Sequence, residues 1–502
     1  MKIVVVASQK EWQTYRQPIT EYAEKHGCAA PTLLSDGGEL DAGGVRVLFL
    51  SIYQPSAALA VYRSGIRDVG VFHRDGYFAF EPDEPALAER EKAYLENRAY
   101  DKLKQLNRVR MLLCYFHRET VLTSLPLDLQ IESTGYCNAR CIMCGHYVYG
   151  NAIAKHMPPG LPKRLEKYLM YAENVILHGN GEPFLQPDIG DIIRYYGSFG
   201  VRMATNTNLS VLNGEILRCL KQYFSEITVS IDGCTREIYE NIRLNLRFDR
   251  LMENLALLNR EAPQLRKKIA VVACRQNLHQ LPDFIPFAAE HGFQAVNYIA
   301  MGSSQIADNR HDEIENYPET ASLQLKKAME LAKRYGVGIE LPYHLLRDGA
   351  CDEQRLQQEL AEIESRPMFR GRKFGDRLFE TYVRPRLDAL AGTDGEVMYS
   401  DYTASPLDAG ALSPDASLRC TGVCDSVFMR PYIMLEGKLA TCCLRPKSYL
   451  GNVLEQELSE LWNSEPIRKM RAMFYQNEVP SYCRGCSFMN NGFLQFGEFN
   501  DE

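Results

Sequence analysis

The chain has 502 residues, too many for one small domain, and its 45% apolar and 24% charged residues are ordinary for a globular protein. A net charge of −7 gives no reason to expect a nucleic-acid or anionic-membrane partner. No apolar run approaches ~18 residues and the amino terminus lacks signal-peptide architecture, so the expectation is a cytoplasmic protein without a membrane span.

From the amino terminus, residues 2–7 and 45–52 read as buried strands, 69–72 and 76–80 as shorter ones, and 11–26 and 56–64 as helices. This predicts a small α/β accessory domain over 1–122. Its last part, 85–118, is helical and charged. There Leu95, Ala99, Leu103, Leu106 and Val109 recur at helical spacing and are expected to pack on the next domain. The Asp-x-His-x-x-Gly signature of a cobalamin-binding domain is absent, and no peptide-recognition module is evident. The chain has 15 cysteines, which read as metal ligands plus scattered thiols rather than disulfides. Cys28, Cys114, Cys219, Cys234, Cys274 and Cys351 fit no metal spacing and read as buried thiols.

Next comes the stretch around which the rest is organised, with Cys137, Cys141 and Cys144 within eight residues. Residues 127–133 before it alternate apolar and polar like a strand, so the thiols leave a strand's C-terminal end, where α/β folds place their chemistry. Three close thiolates suit a [4Fe–4S] cluster with one iron free of protein ligands. A zinc site and a plain ferredoxin cluster are the alternatives. Zinc usually takes four ligands in paired Cys-x2-Cys form, and a ferredoxin cluster needs a fourth cysteine.

This Cys-x3-Cys-x2-Cys loop after a first strand resembles the signature of radical S-adenosylmethionine (SAM) enzymes. The resemblance implies that the open iron chelates SAM, that an electron from the cluster cleaves the sulfonium, and that a 5′-deoxyadenosyl radical takes a hydrogen atom from the substrate. It also implies an external one-electron reductant of flavodoxin or ferredoxin type.

Strand-like and helix-like segments then alternate over 123–345, as in a parallel sheet with crossovers. Strands are predicted at 127–133, 174–178, 202–206, 226–232, 268–273 and 295–300, and six of them resemble the family's partial (β/α)6 barrel. Gly179, Asn180, Gly181, Glu182 and Pro183 resemble its Gly-Gly-Glu-Pro motif, which holds the SAM ammonium; Asn180 stands where the family has the first glycine. Glu182 could equally cap the next helix. Asn206, in Thr-Asn-Thr-Asn, resembles the family's polar contact to SAM or substrate, with a turn-forming role as the alternative. Ser230, Asp232 and Arg243 resemble a Ser-x-Asp-Gly…Ile-Arg run. By that resemblance Ser230 and Asp232 face the SAM ribose or the substrate and Arg243 meets the SAM carboxylate; helix capping is the alternative for Asp232. Asn277 resembles a polar residue near the adenosine, and Met143 stands where many members carry an aromatic. His178 reads as a core histidine, His146 as a candidate substrate contact.

Residues 346–416 depart from the barrel pattern. A charged helix over 353–364 leads into the basic Arg366, Arg370, Arg372, Lys373 and Arg377, which suit either a lid meeting an anionic substrate group or a solvated connection. Over 417–502, Cys424, a hairpin turning at Gly437, Cys442, Gly-Asn, Leu-Trp-Asn, then Cys483 and Cys486 resemble the SPASM/twitch domain that follows some radical SAM barrels. No cysteine follows Cys486, so the resemblance implies one fully ligated auxiliary [4Fe–4S] cluster, with four-cysteine zinc as the alternative. Cys420 is a candidate alternate ligand and Cys443 a structural thiol.

The sequence thus predicts an α/β chain: an accessory domain, a radical SAM partial barrel, an insertion and a twitch-type cluster domain, carrying two [4Fe–4S] clusters and SAM. The expected activity is of oxidoreductase or lyase type on a small polar substrate such as a sugar or aminocyclitol. Peptide maturation is the alternative, and a non-catalytic electron carrier the remote one.

Overall fold

The computed structural model describes residues 2–483 apart from 8, 35–43, 50–68, 74–75, 80–83, 145–150, 152–153, 303–309, 348, 350, 367–404, 411, 416–423, 444–447 and 477. The expected helix over 56–64 falls outside the described residues. So do His146, Cys420, Cys486 and four basic residues of the insertion, Arg370, Arg372, Lys373 and Arg377.

The amino-terminal unit is a five-stranded sheet in the order β2-β1-β3-β4-β5, built from β1 (Lys2–Val6), β2 (Thr32–Leu34), β3 (Val45–Phe49), β4 (Val69–His73) and β5 (Gly76–Ala79). The first four are parallel and β5 is antiparallel to β4. Ile3 and Val5 pack on Ile19 and Ala23 of helix Gln9–Lys25, which explains why β1 is a continuous apolar run. The expected helical stretch 85–118 is two helices, Glu84–Glu96 and Tyr100–Phe116, parted at Arg98, whose φ of 52° ends the first. The second packs on the barrel: Asn107 Nδ2 donates to the Leu125 carbonyl at 3.0 Å, and Arg108 Nε meets Glu173 at 2.6 Å.

The barrel strands are β6 (Asp128–Ile131), β8 (Asn174–Leu177), β9 (Arg202–Thr207), β10 (Phe224–Ser230), β12 (Arg266–Ala273) and β13 (Ala295–Ala300), all parallel and adjacent in chain order. A further parallel strand, β14 (Gly338–Glu340), continues beyond the six that were expected. Alternation sorts the side chains: in β9, Met203, Thr205 and Thr207 are buried against the outer layer, while Ala204 and Asn206 are half-buried on the other face. A two-residue ladder, β7 (Arg140–Cys141) with β11 (Arg243–Leu244), lies apart from this sheet.

The carboxy-terminal unit is not a separate bead. Its strands are β15 (Ser405–Pro406), β16 (Tyr432–Ile433), β17 (Lys438–Ala440) and β18 (Ser448–Asn452), and β16 pairs in parallel with β6, so that one eleven-stranded sheet runs through both units. The N–H groups of Asp128, Gln130 and Glu132 donate to the carbonyls of Met429, Pro431 and Ile433. Among the described residues no helix is long and apolar enough to cross a membrane.

Candidate active site at the barrel mouth

The cysteine loop is tied at several points. The Cys137 N–H donates to Asn151 Oδ1 at 3.0 Å, and Asn151 Nδ2 returns a bond to the Cys137 carbonyl at 3.1 Å. Cys141 is fixed by the β7–β11 ladder, and the Cys144 N–H closes a turn on the Cys141 carbonyl at 2.9 Å. Burial pushes the Cys141 thiol up to about 12; the nearby Arg243 guanidinium opposes that and Cys144 adds to it. Cys137 is likewise pushed up by burial, and Cys141 and Cys144 both act on it, so the three sulfurs share one electrostatic neighbourhood. Among the described residues no three Cys, His, Asp or Glu side chains converge on a single-ion position.

The loop 179–182 follows β8 and lies against this one. A Cβ on Gly179 would run into the Glu132 side chain, and one on Gly181 into the Thr134 carbonyl, with the Tyr136 carbonyl 2.8 Å away. Glycine is therefore required by close backbone approach. Glu182 is 2% exposed and fastens the loop to the end of β9: it accepts from Thr207 Oγ at 2.6 Å and from the Asn208 N–H at 2.8 Å. Burial raises its carboxyl to about 7 despite these bonds. It also accepts from the Phe184 N–H at 3.5 Å, capping a short 3-10 turn, so capping and loop-fastening coexist.

Asp232 is fully buried. Its Oδ1 accepts the Val272 N–H at 2.7 Å, and Oδ2 lies 2.8 Å from Arg243 Nε. These last two atoms lack hydrogen-bond alignment at that distance, so charge holds the pair. The next helix, Arg236–Ile242, begins at Thr235, so Asp232 does not cap it. Arg243 Nη1 also lies 3.6 Å from Cys141 Sγ, placing one buried cation between the Asp232 carboxylate and the Cys141 thiol. Asn277 is fully buried and its amide is committed to the backbone: Oδ1 accepts from Cys274 N–H, and Nδ2 donates to the Asp232 and Val272 carbonyls. Through these bonds it props this wall.

Asn206 and Ser230 are half-buried, on the face of their strands opposite the outer core. Leu177 pairs with Thr205, so His178 and Asn206 stand side by side, with Asn206 Nδ2 3.5 Å from His178 Nε2. Burial lowers His178 to about 4, which keeps the imidazole neutral. The residues sequence reasoning missed are Glu132, Thr207 and Asn208. The available signal was a polar residue, Glu132, at the end of an otherwise buried strand five positions before Cys137.

At the carboxy-terminal site Cys424 and Cys442 are half-buried and Cys483 is buried; the hairpin turns at Gly437 with φ +84°. Cys442 and Cys483 both act on the half-buried Tyr482 phenol, whose titration is raised chiefly by desolvation. Cys443 is exposed. Of the six thiols expected to be buried, Cys114, Cys219 and Cys274 are, Cys28 and Cys234 are half-buried, and Cys351 is exposed beside the cap of helix Glu353–Ser365. A short polar segment that precedes a surface helix gives a thiol no apolar layer to enter.

The radical SAM superfamily model matches residues 131–288, and the iron-sulfur cluster-binding (SPASM) domain model matches 424–487. The chain thus carries a radical SAM domain followed by an iron-sulfur cluster-binding SPASM domain. A related protein is the AdoMet-dependent heme synthase of Methanosarcina barkeri, 25% identical over 73% of this chain and 90% of that one. Another is the mycofactocin maturase MftC of Mycobacterium tuberculosis, 29% identical over 33% of this chain and 43% of that one. The chain therefore spans less than half the length of the maturase. Among solved structures it is similar to Streptococcus suis SuiB bound to S-adenosylmethionine, with 14% identity, a TM-score of 0.46, and coverage of 72% of this chain and 71% of that chain.

The residues of the radical SAM barrel fit the groups this family carries. The donor set is three thiols sharing one loop, beside a glycine cradle closed to any Cβ and a buried guanidinium. Cys137, Cys141 and Cys144 would hold the SAM-cleaving [4Fe–4S] cluster, and Cys424, Cys442 and Cys483, with Cys486 outside the described residues, the auxiliary one. With these groups bound, the site supplies an electron to SAM and thereby a hydrogen-abstracting radical. The protein's own contribution is to seat the thiols on a braced loop, bring the 179–182 backbone close, and keep Arg243 charged beside Cys141.

Proposed function

We propose that this radical SAM enzyme matures a precursor peptide. The observation that carries the reading is the match to mycofactocin maturases, 28–30% identical over 179 residues in four mycobacterial sequences. The small polar substrate expected from the sequence is not carried forward, because the relatives reported above are named for maturation and heme synthesis. The amino-terminal sheet is compatible with a peptide: among the described residues its outer strands β2 and β5 are each paired on one side only, and an extended segment can add to such an edge. The half-buried Asn206, Ser230 and His178 would face the reacting residue. An external one-electron reductant completes the scheme.

A second reading has its own support. The heme synthase match runs over 371 residues, more of this chain than the maturase match, and favours a tetrapyrrole.

The test is anaerobic reconstitution with iron counting, then SAM and dithionite with candidate precursor peptides encoded near the gene, or with an iron porphyrin. Peptide-stimulated 5′-deoxyadenosine together with a mass change in the peptide is expected. Stimulation by the porphyrin alone would replace the first reading with the second, and SAM cleavage indifferent to both would refute both.

A further inference from the structure

Glu132 sits where three parts of the molecule meet. It directly follows β6, and its Oε1 accepts the Asn180 N–H at 2.6 Å. Its N–H donates to the Ile433 carbonyl of the SPASM unit at 2.9 Å, and the Tyr432 phenol and Leu435 N–H act on the same carboxylate. Glu132 is 2% and Tyr432 3% exposed, so these bonds are shielded from water. The Glu132 side chain occupies the space a Cβ on Gly179 would need. On the hairpin, Tyr432 pairs across the ladder with Ala440, two residues before Cys442. A contiguous path of strand pairing and hydrogen bonds therefore runs from the proposed auxiliary-cluster ligand Cys442 through β17, β16 and Glu132 to the loop 179–182.

We propose that Glu132 is a positioning residue that couples the seating of the SPASM hairpin to the shape of the 179–182 loop, and through it to SAM affinity. A carboxylate suits this role because its two oxygens can accept donors from both sides at once. A glutamine keeps one acceptor but turns an N–H2 toward a donor. The inference does not depend on the substrate reading, since SAM binding precedes substrate chemistry.

The test uses the full chain with both clusters reconstituted, and reads SAM affinity by calorimetry without turnover, alongside iron content and Tm. Tyr432→Phe removes one hydroxyl in the auxiliary unit and is expected to raise the SAM Kd about fivefold. Glu132→Gln is expected to raise it at least as much, and the double variant no more than the larger single one, the signature of a shared path. Glu436→Gln disturbs the same hairpin at its surface contact with Lys155, away from Glu132, and should leave the Kd unchanged. A Kd within twofold of the parent in both Tyr432→Phe and Glu132→Gln, multiplicative effects in the double variant, or equal weakening by Glu436→Gln would each overturn the proposal. If Glu132→Gln folds poorly, Tyr432→Phe against Glu436→Gln decides it.

Discussion

Arg243 faces Cys141 across the β7–β11 ladder, with its guanidinium 3.6 Å from the thiol sulfur. The ladder is only two residues long, yet it sets a permanent cation against the thiol of a proposed cluster ligand inside the fold. The same guanidinium holds Asp232, so one side chain links the cluster loop to the wall formed by β10 and β12.

The first consequence is redox. A unit charge a few ångströms away at an effective dielectric of ~20 is worth a few kcal/mol, on the order of 100 mV for one electron. Arg243→Gln should move the midpoint potential of the SAM-cleaving cluster to more negative values by about that amount, read by EPR-monitored titration. An unshifted potential in a folded, cluster-loaded variant would contradict the assignment.

The second concerns stability. Arg243→Gln leaves Asp232 charged and buried without its partner, which typically costs about 3–5 kcal/mol. Adding Asp232→Asn removes the stranded charge, so the double variant should recover much of the lost stability in urea denaturation. A double variant as unstable as the single one would mean the damage lies in packing.

Gly181→Ala places a Cβ against the Thr134 carbonyl, a backbone atom that cannot swing aside. Overpacking of this kind costs about 1–3 kcal/mol. Calorimetry should also find SAM binding weakened tenfold or more, while Gly160→Ala, whose Cβ meets nothing within 4 Å, leaves both stability and binding near the parent values.

His178 supplies a pH dependence. Its titration is lowered from 6.5 to about 4 by burial, so the fold favours neutral imidazole and the unfolded chain binds the proton first. Stability from this group is complete above pH 6.5 and is lost as pH falls toward 4, by about 2–3 kcal/mol in all. Thermal unfolding between pH 7.5 and 5 should therefore fall less steeply in His178→Gln than in the parent. Parallel curves would show that the ring is already protonated or solvated in the fold.

The alternation of strands and helices over 123–345 was legible because buried parallel strands are near-continuous apolar runs, and Ile269 and Val271 need no tertiary knowledge to be placed in one. The cysteine spacing was legible because a cluster loop is local. Asp232 was harder. A short acidic residue after a strand reads equally as a helix cap or a ligand contact, and its pairing with an arginine eleven positions on depends on a ladder that no local pattern announces.

The sequence by itself determined the chemistry-bearing local pieces: the Cys137, Cys141 and Cys144 loop, the glycines at 179 and 181, and the hairpin turning at Gly437. Each is set by spacing or backbone freedom within a few residues. The tertiary structure alone decided that β16 joins β6, that Glu132 ties Asn180 to the Ile433 backbone, and that Asn277 and Asp232 turn into the wall. Those outcomes depend on which distant backbone donors must be satisfied once the sheet closes, and a buried polar group takes whichever partner the packing brings to it.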